Sequence, residues 1–156
     1  MSVYPYVSGV FSEESLPYPQ KNNDCIYGLS KYCSEVILDF LLRDEKIRVV
    51  HLRVAQVYGE KMFKERIIPV MKRELKKNNT ITVFGNGKRE SNFIEINKLS
   101  EWLKSLLQQE VSGVYNFGDE NLCYYDLAKK IIEKHGNDES TIIKKSPGNK
   151  EKFNLD

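Results

Sequence analysis

The sequence is poor in the residues that hold metals or staple secreted domains. Its 156 residues include two histidines and three cysteines. Cys25, Cys33 and Cys123 make no zinc spacing and cannot all pair with one another. His51 sits in a strand-like run and His135 ends a helical pattern far from it, so structural roles are expected for both and no metal site. No apolar run approaches the length that spans a bilayer. No secretory leader is apparent, and a reducing cytoplasm is the expected compartment. An excess of one charge is missing too: 24 Lys and Arg face 22 Asp and Glu, a net charge of +2. That is too small to argue for nucleic acid or an anionic membrane as a partner. Lys76-Lys77 and Lys144-Lys145 read as solvated surface. There is no internal repeat and no low-complexity tract.

What remains is an ordinary globular composition, 40% apolar and 29% charged, long enough for one domain with a real core. Ser2-Val3-Tyr4 reads as a strand end, after which Pro5, Gly9, Pro17 and Pro19 break regular structure. Phe11-Ser12-Glu13-Glu14 suits a short turn. A helix is predicted to about Asp44, with Asp24 as its capping side chain and Leu29, Cys33, Val36, Ile37 and Phe40 as its buried stripe. Ile47 to Arg53 has the β-branched character of a buried strand and leads into Val54 to Gly59. A second helix covers about Phe63 to Lys77, with Ile67, Ile68, Met71 and Leu75 inward. Pro69 predicts a kink there or a late start. Thr80–Phe84 and Asn92–Ile96 read as short strands separated by a Gly85-Asn86-Gly87 turn. Asn97 is the candidate cap of a helix from Lys98 to about Gln109, burying Leu99, Trp102, Leu103, Leu106 and Leu107. Gly113–Phe117 is strand-like. Tyr125–Lys134 is a helix with Leu127, Ala128, Ile131 and Ile132 inward, stopped by Gly136. Thr141–Lys144 is a last strand, and the polar tail from Pro147 is expected to be loose. Helices alternate with strands almost throughout, the pattern of an α/β layered domain.

The stretch with chemistry in it is Tyr27-Gly28-Leu29-Ser30-Lys31. Residues four apart on a helix project from one face, one turn apart. A lysine ammonium near a phenol favours the phenolate, and such a tyrosine can exchange a proton with a substrate hydroxyl near neutral pH. On the helical wheel Tyr27 and Lys31 fall away from the apolar stripe. The bland counterpart is a solvated Tyr–Lys pair, since two residue types at one spacing recur by chance.

The rest of the chain adds context. Leu52-Arg53-x-x-Gln56-Val57-Tyr58-Gly59 follows a strand. Val83-Phe84-Gly85-Asn86-Gly87 precedes Asn92-Phe93-Ile94, and Gly113-Val114-Tyr115-Asn116-Phe117-Gly118 comes before a helix carrying Leu127-Ala128. In this order the motifs resemble the C-terminal portion of the extended short-chain dehydrogenases, the NAD-dependent epimerase/dehydratase family that acts on sugar nucleotides. The resemblance covers most of the chain. It implies an incomplete Rossmann-like, doubly wound sheet portion over residues 1–59, carrying Tyr-x-x-x-Lys. Residues 60–156 are then mainly a small α/β substrate-binding subdomain, with some segments returning to the first part. It implies Tyr27 as acid/base, Lys31 as its helper on the nicotinamide ribose, Val54 beside the nicotinamide and Gln56 on the sugar. NAD or NADP is the implied cofactor of the complete enzyme, a nucleotide sugar its substrate, and a homodimer its assembly. Tyr32, Phe40 and Leu41 are the implied apolar contacts of that dimer.

Departures from the family pattern are equally specific. Gln56 stands where the family has Asn, a longer amide with the same donors and acceptors. Ser91 stands where an Arg binds the nucleotide diphosphate. Arg89, two residues earlier, is the candidate substitute, and a solvated loop arginine is its bland counterpart. The glycine-rich fingerprint that seats a dinucleotide does not occur in these residues. Aligned on Val3-Tyr4, the family's catalytic Ser or Thr falls just before Met1, with Ser2 the nearest hydroxyl but out of register. The expectation is therefore a fragment, split partner or interrupted frame of an epimerase, dehydratase or reductase, inactive and without bound cofactor on its own. The other class is a non-catalytic remnant or interaction module of the same fold.

Overall fold

The computed structural model describes residues 2–21 and 24–156. Four parallel pairings build the chain: β1 (Gly9–Phe11) with β9 (Phe153–Leu155), β2 (Val50–Val54) with β6 (Gly113–Phe117), β3 (Gln56–Tyr58) with β5 (Glu90–Glu95), and β4 (Thr80–Phe84) with β8 (Thr141–Lys145). The strand β7 (Glu120–Cys123) adds antiparallel to β5. Between them lie α1 (Cys25–Leu42), α2 (Ile67–Asn78), α3 (Ile96–Leu107) and α4 (Tyr124–His135). This is the α/β class expected from the alternation. Parallel partners are connected only through crossovers, which is why helices separate them.

The two ends of the chain differ from the sequence reading, and for one reason. Ser2–Tyr4 forms a turn and bend rather than a strand. The tail is not loose: its Phe153 and Leu155 are buried. A strand exists only where another backbone pairs with it, and here Gly9–Phe11 and Phe153–Leu155 pair with each other. Val3 and Tyr4 are buried by side-chain contacts instead. The Tyr4 ring stacks on Phe11 at 5.2 Å, and Phe11 on Phe153 at 4.8 Å. Leader and tail thus enclose one core with Ala55, Ile94, Leu99 and Phe117. The second core gathers Ile68, Met71 and Leu75 of α2, Ile81 and Val83 of β4, Phe93, and Leu127, Ala128 and Ile131 of α4. These helix faces are those the periodicity predicts. Pro69 is the third residue of α2, which starts late and tolerates it.

α1 is turned the other way from expectation. Leu29, Val36, Ile37 and Phe40 are 40–62% exposed, and Cys33 is exposed as well. The inward face is Gly28, Tyr32, Glu35 and Asp39, at spacings of four, three and four. Tyr32 packs on the first core. Glu35 forks onto the buried Arg53 of β2, at 2.7 and 3.2 Å, and Asp39 meets His51 Nε2 at 2.7 Å. Polar side chains thus hold α1 to β2, and the predicted apolar stripe points away. Gly28 belongs where it is because a Cβ there would stand 2.0 Å from the Ser2 carbonyl oxygen. Asp24 occupies the N-cap position of α1 but makes no capping hydrogen bond. The cap of α3 is Glu95 rather than Asn97: its carboxylate accepts from the Asn97 and Lys98 N–H groups. α3 buries Leu99, whereas Trp102 is 41% and Leu107 86% exposed. Trp102 instead lays its edge against Tyr115 and Phe117. Among the described residues no helix is long and apolar enough to cross a membrane.

Candidate active site

An open cleft of about 1150 Å³ lies where the first turn of α1, the β2–β3 junction and the start of β5 converge. Parallel strands bring this about. In β3–β5 pairing, Gln56 stands opposite Phe93, so residues just ahead of Phe93 come beside the β2–β3 junction. Tyr27, Val54, Gln56, Arg89 and Ser91 all line this cleft. Five of the six residues singled out from the sequence therefore meet, from three stretches far apart in the chain. Lys31 stands one turn further along α1, outside the cleft wall, with its ammonium 5.3 Å from the Tyr27 ring centre. Tyr27 is 57% exposed, open to a ligand rather than packed away.

Gln56 and Ser91 are one unit: Gln56 Nε2 donates to Ser91 Oγ at 2.8 Å. Ser91 is buried. The hydroxyl fixes the longer amide, leaving the Gln56 carbonyl end to be placed by that bond. Arg89 precedes β5, and its backbone carbonyl accepts from Tyr124 N–H at 2.9 Å. Its guanidinium lies between two aromatic rings, 5.3 Å from the Tyr6 centre and 4.8 Å from that of Tyr124. The residue is half-buried, and its Nε is sealed from solvent.

Three tyrosines at the cleft were not singled out from the sequence: Tyr6, Tyr58 and Tyr124. Burial raises Tyr58 above the usual phenol range, reinforced by the nearby Glu95, Asp119 and Glu120 carboxylates. Tyr6 is raised by burial as well, with Arg89 opposing. Tyr58 was legible as part of the Tyr-Gly segment, whereas Tyr6 sits among breaker residues with no periodic signal. Ser2 lines the same cleft. Among the described residues no cluster of His, Cys, Asp and Glu is arranged to hold a metal ion.

The chain belongs to the NAD dependent epimerase/dehydratase family, whose model matches residues 1–118. Among curated relatives it is 32% identical over 108 residues to a dTDP-D-glucose 4,6-dehydratase of Dictyostelium discoideum, covering 68% of this chain and 25% of that one. Among solved structures it resembles a UDP-N-acetylglucosamine 4-epimerase from Bacillus cereus, with a TM-score of 0.78 and 28% identity over 93% of this chain and 50% of that one. A UDP-glucuronic acid 4-epimerase from Bacillus cereus, solved in complex with NAD, matches with a TM-score of 0.78 and 23% identity, covering 99% and 49%. The chain is thus a partial, Rossmann-like α/β piece spanning about half the length of these solved structures.

Proposed function

We propose that this chain is the acid/base and substrate-side portion of an NAD(P)-dependent enzyme that epimerises, dehydrates or reduces the sugar of a nucleotide sugar. The observation that carries the reading is the meeting of Tyr27, Gln56, Arg89 and Ser91 on one cleft. Tyr27 takes or gives the proton of a sugar hydroxyl. Lys31 sets a positive charge beside its ring and holds the nicotinamide ribose. Gln56, steadied by Ser91, presents its amide to the sugar. Arg89 takes the diphosphate. Val54 borders the nicotinamide through backbone and packing. NAD(P), when bound, supplies the hydride exchange. The fit of these residues to that cofactor is partial. Tyr27 and Lys31 meet one ribose, while the sequence offers no glycine-rich turn for the pyrophosphate. Two hydrogen bonds of about 1 kcal/mol net each do not offset the cost of immobilising a dinucleotide. The chain alone is therefore expected to bind no NAD(P) and to turn over no sugar nucleotide.

We place the division between the Rossmann-like part and the substrate lobe after Gly59, and the complete protein in the cytoplasm. Cell fractionation that recovers it with membranes would contradict the second placement. Limited proteolysis that finds no preferred cut after Gly59 would count against the first. The exposed apolar stripe of α1 supports a second reading, a non-catalytic interaction module of the same fold. Turnover separates the two. In an enzyme completed with a nucleotide-binding half, Tyr27→Phe is expected to lower turnover by about two to four powers of ten. Lys31→Ala is expected to lower both turnover and cofactor affinity. Full activity in Tyr27→Phe would remove the acid/base role.

A further inference from the structure

Asp24 occupies the N-cap position of α1, where an aspartate ordinarily turns its carboxylate back onto the N–H groups of the first turn. Here it makes no such bond, and the residue is exposed and lines the cleft. Asp24, Tyr27 and Lys31 lie three and four positions apart, so they follow one another along one face of the helix. Side chains at these spacings stand about 5–6 Å apart at Cβ. Asp24 and Tyr27 are on the cleft wall, while Lys31 stands outside it with its ammonium near the Tyr27 ring. The other charged residues on the wall come from other elements: Glu60, Lys61, Glu65 and Arg66 from the loop after β3, Arg89 from ahead of β5, and Glu95 from its end. Among the described residues, the charge that the start of α1 brings to the wall beside Tyr27 is therefore a negative one.

A carboxylate only accepts hydrogen bonds, and it has room for several donors. A neutral hexose is rich in hydroxyl donors, and a hydroxyl on an ionised carboxylate makes a charge-assisted bond. A uronic acid brings a second carboxylate instead, and two like charges in one cleft repel. We infer that Asp24 is a specificity residue: it accepts hydrogen bonds from the hydroxyls of a neutral hexose held at Tyr27 and turns away a sugar that carries a carboxylate. The inference rests on the reading that Tyr27 meets the sugar of a nucleotide sugar, and it narrows that substrate class to uncharged sugars. Gln56 fits the same class. Its amide is uncharged and its Nε2 is engaged by Ser91 at 2.8 Å, so this part of the wall offers a uronate no cation.

The test is calorimetric titration of the purified chain with UDP, UDP-glucose and UDP-glucuronic acid, at low and at high salt. The two sugars differ only by a hydroxymethyl group against a carboxylate. UDP-glucose is expected to bind about tenfold more tightly than UDP-glucuronic acid at low salt, the scale of one like-charge contact in a solvated cleft. Salt screens exposed charges, so the gap is expected to narrow as salt is added. Asp24→Asn keeps the shape, removes the charge and breaks no capping bond. It is expected to bring the two sugars within about twofold of each other, and Asp24→Lys to reverse their order. UDP, which lacks the sugar, is expected to bind wild type and Asp24→Asn alike. Equal affinity for the two sugars in wild type, an unchanged ratio in Asp24→Asn, or a gain for UDP as large as that for UDP-glucuronic acid would overturn the assignment and leave the nucleotide-sugar reading intact. Saturation by none of the three ligands would overturn both. Turnover enters none of these outcomes, so the acid/base role of Tyr27 stands or falls separately.

Discussion

Arg53 is a cation taken almost wholly out of water, 5% exposed, and two groups answer for it. Glu35 takes two of its N–H groups, and the Tyr4 hydroxyl accepts from Nη1 at 2.9 Å. The single Tyr4 proton in turn has two acceptors in reach, Asn116 Oδ1 at 2.8 Å and the Ser12 carbonyl at 2.9 Å. The network ties α1, β2, β6 and the leader around one charge. Burial pulls Arg53 down, but the bonds from Glu35 and Tyr4 outweigh it and the pKa is raised. Removing one partner leaves the other charge buried and alone, which costs about 3–5 kcal/mol. Glu35→Leu is therefore expected to lower urea-unfolding stability by about that much. The double variant Glu35→Leu/Arg53→Met is expected to recover a large part of the loss. A double variant no more stable than Glu35→Leu would show that the pair is not what holds α1 to β2.

At the scale of elements, the tail strand β9 stays in place through more than backbone pairing with β1. Glu90 of β5 accepts from Lys152 and from Asn154 Nδ2. The Lys152 bond first, and then Asn154, hold the Glu90 carboxyl below its ordinary value of 4.5. A carboxyl lowered on folding adds stability above its unfolded pKa and loses it as pH falls through the folded value. Wild type is thus expected to exceed Glu90→Gln in thermal stability at neutral pH, with the gap closing below about pH 4.5. A gap that stays constant down to strong acid would mean that Glu90 acts through packing alone. Elements with a strong periodic or β-branched run of their own were legible from pattern: α2 and α4 bury the predicted faces, and β4, β6 and β8 lie where the runs place them. β1, β7 and β9 were not, because each is short and becomes a strand only through a partner that folding brings to it.

For the whole molecule, the open question of physics is the apolar stripe on α1. Ile26, Ile37, Phe40 and Leu41 are 54–76% exposed on a helix whose inward face is polar. Isolated exposed apolar residues are ordinary, but a continuous stripe marks an interaction surface. The implied dimer contact is altered in one respect: Tyr32 faces the chain's own core, so Phe40 and Leu41 remain the available contacts. The complete protein is expected to be a homodimer through this helix, since two-fold symmetric pairs are the commonest assembly. Sedimentation velocity at micromolar protein showing monomer alone would refute it. For the chain by itself, calorimetric titration with NAD and NADP is expected to give no saturation at micromolar ligand. Saturable binding would place a cofactor site that these residues were not credited with.

The sequence alone determined the α/β class, the family, and the identity of Tyr27, Lys31, Val54, Gln56, Arg89 and Ser91 as the residues to watch. Those depend on local periodicity and on short motifs, which are written in neighbouring positions. Tertiary structure alone decided which side of α1 faces inward. An amphipathic period says that a helix has an apolar side, but not whether a partner for that side lies within the same residues. It decided that Gln56 is steadied by Ser91, because their meeting depends on the β3–β5 register. It also decided that Tyr6 stands against Arg89, since the tail both pairs with β1 and bridges Glu90 beside Arg89 through Lys152.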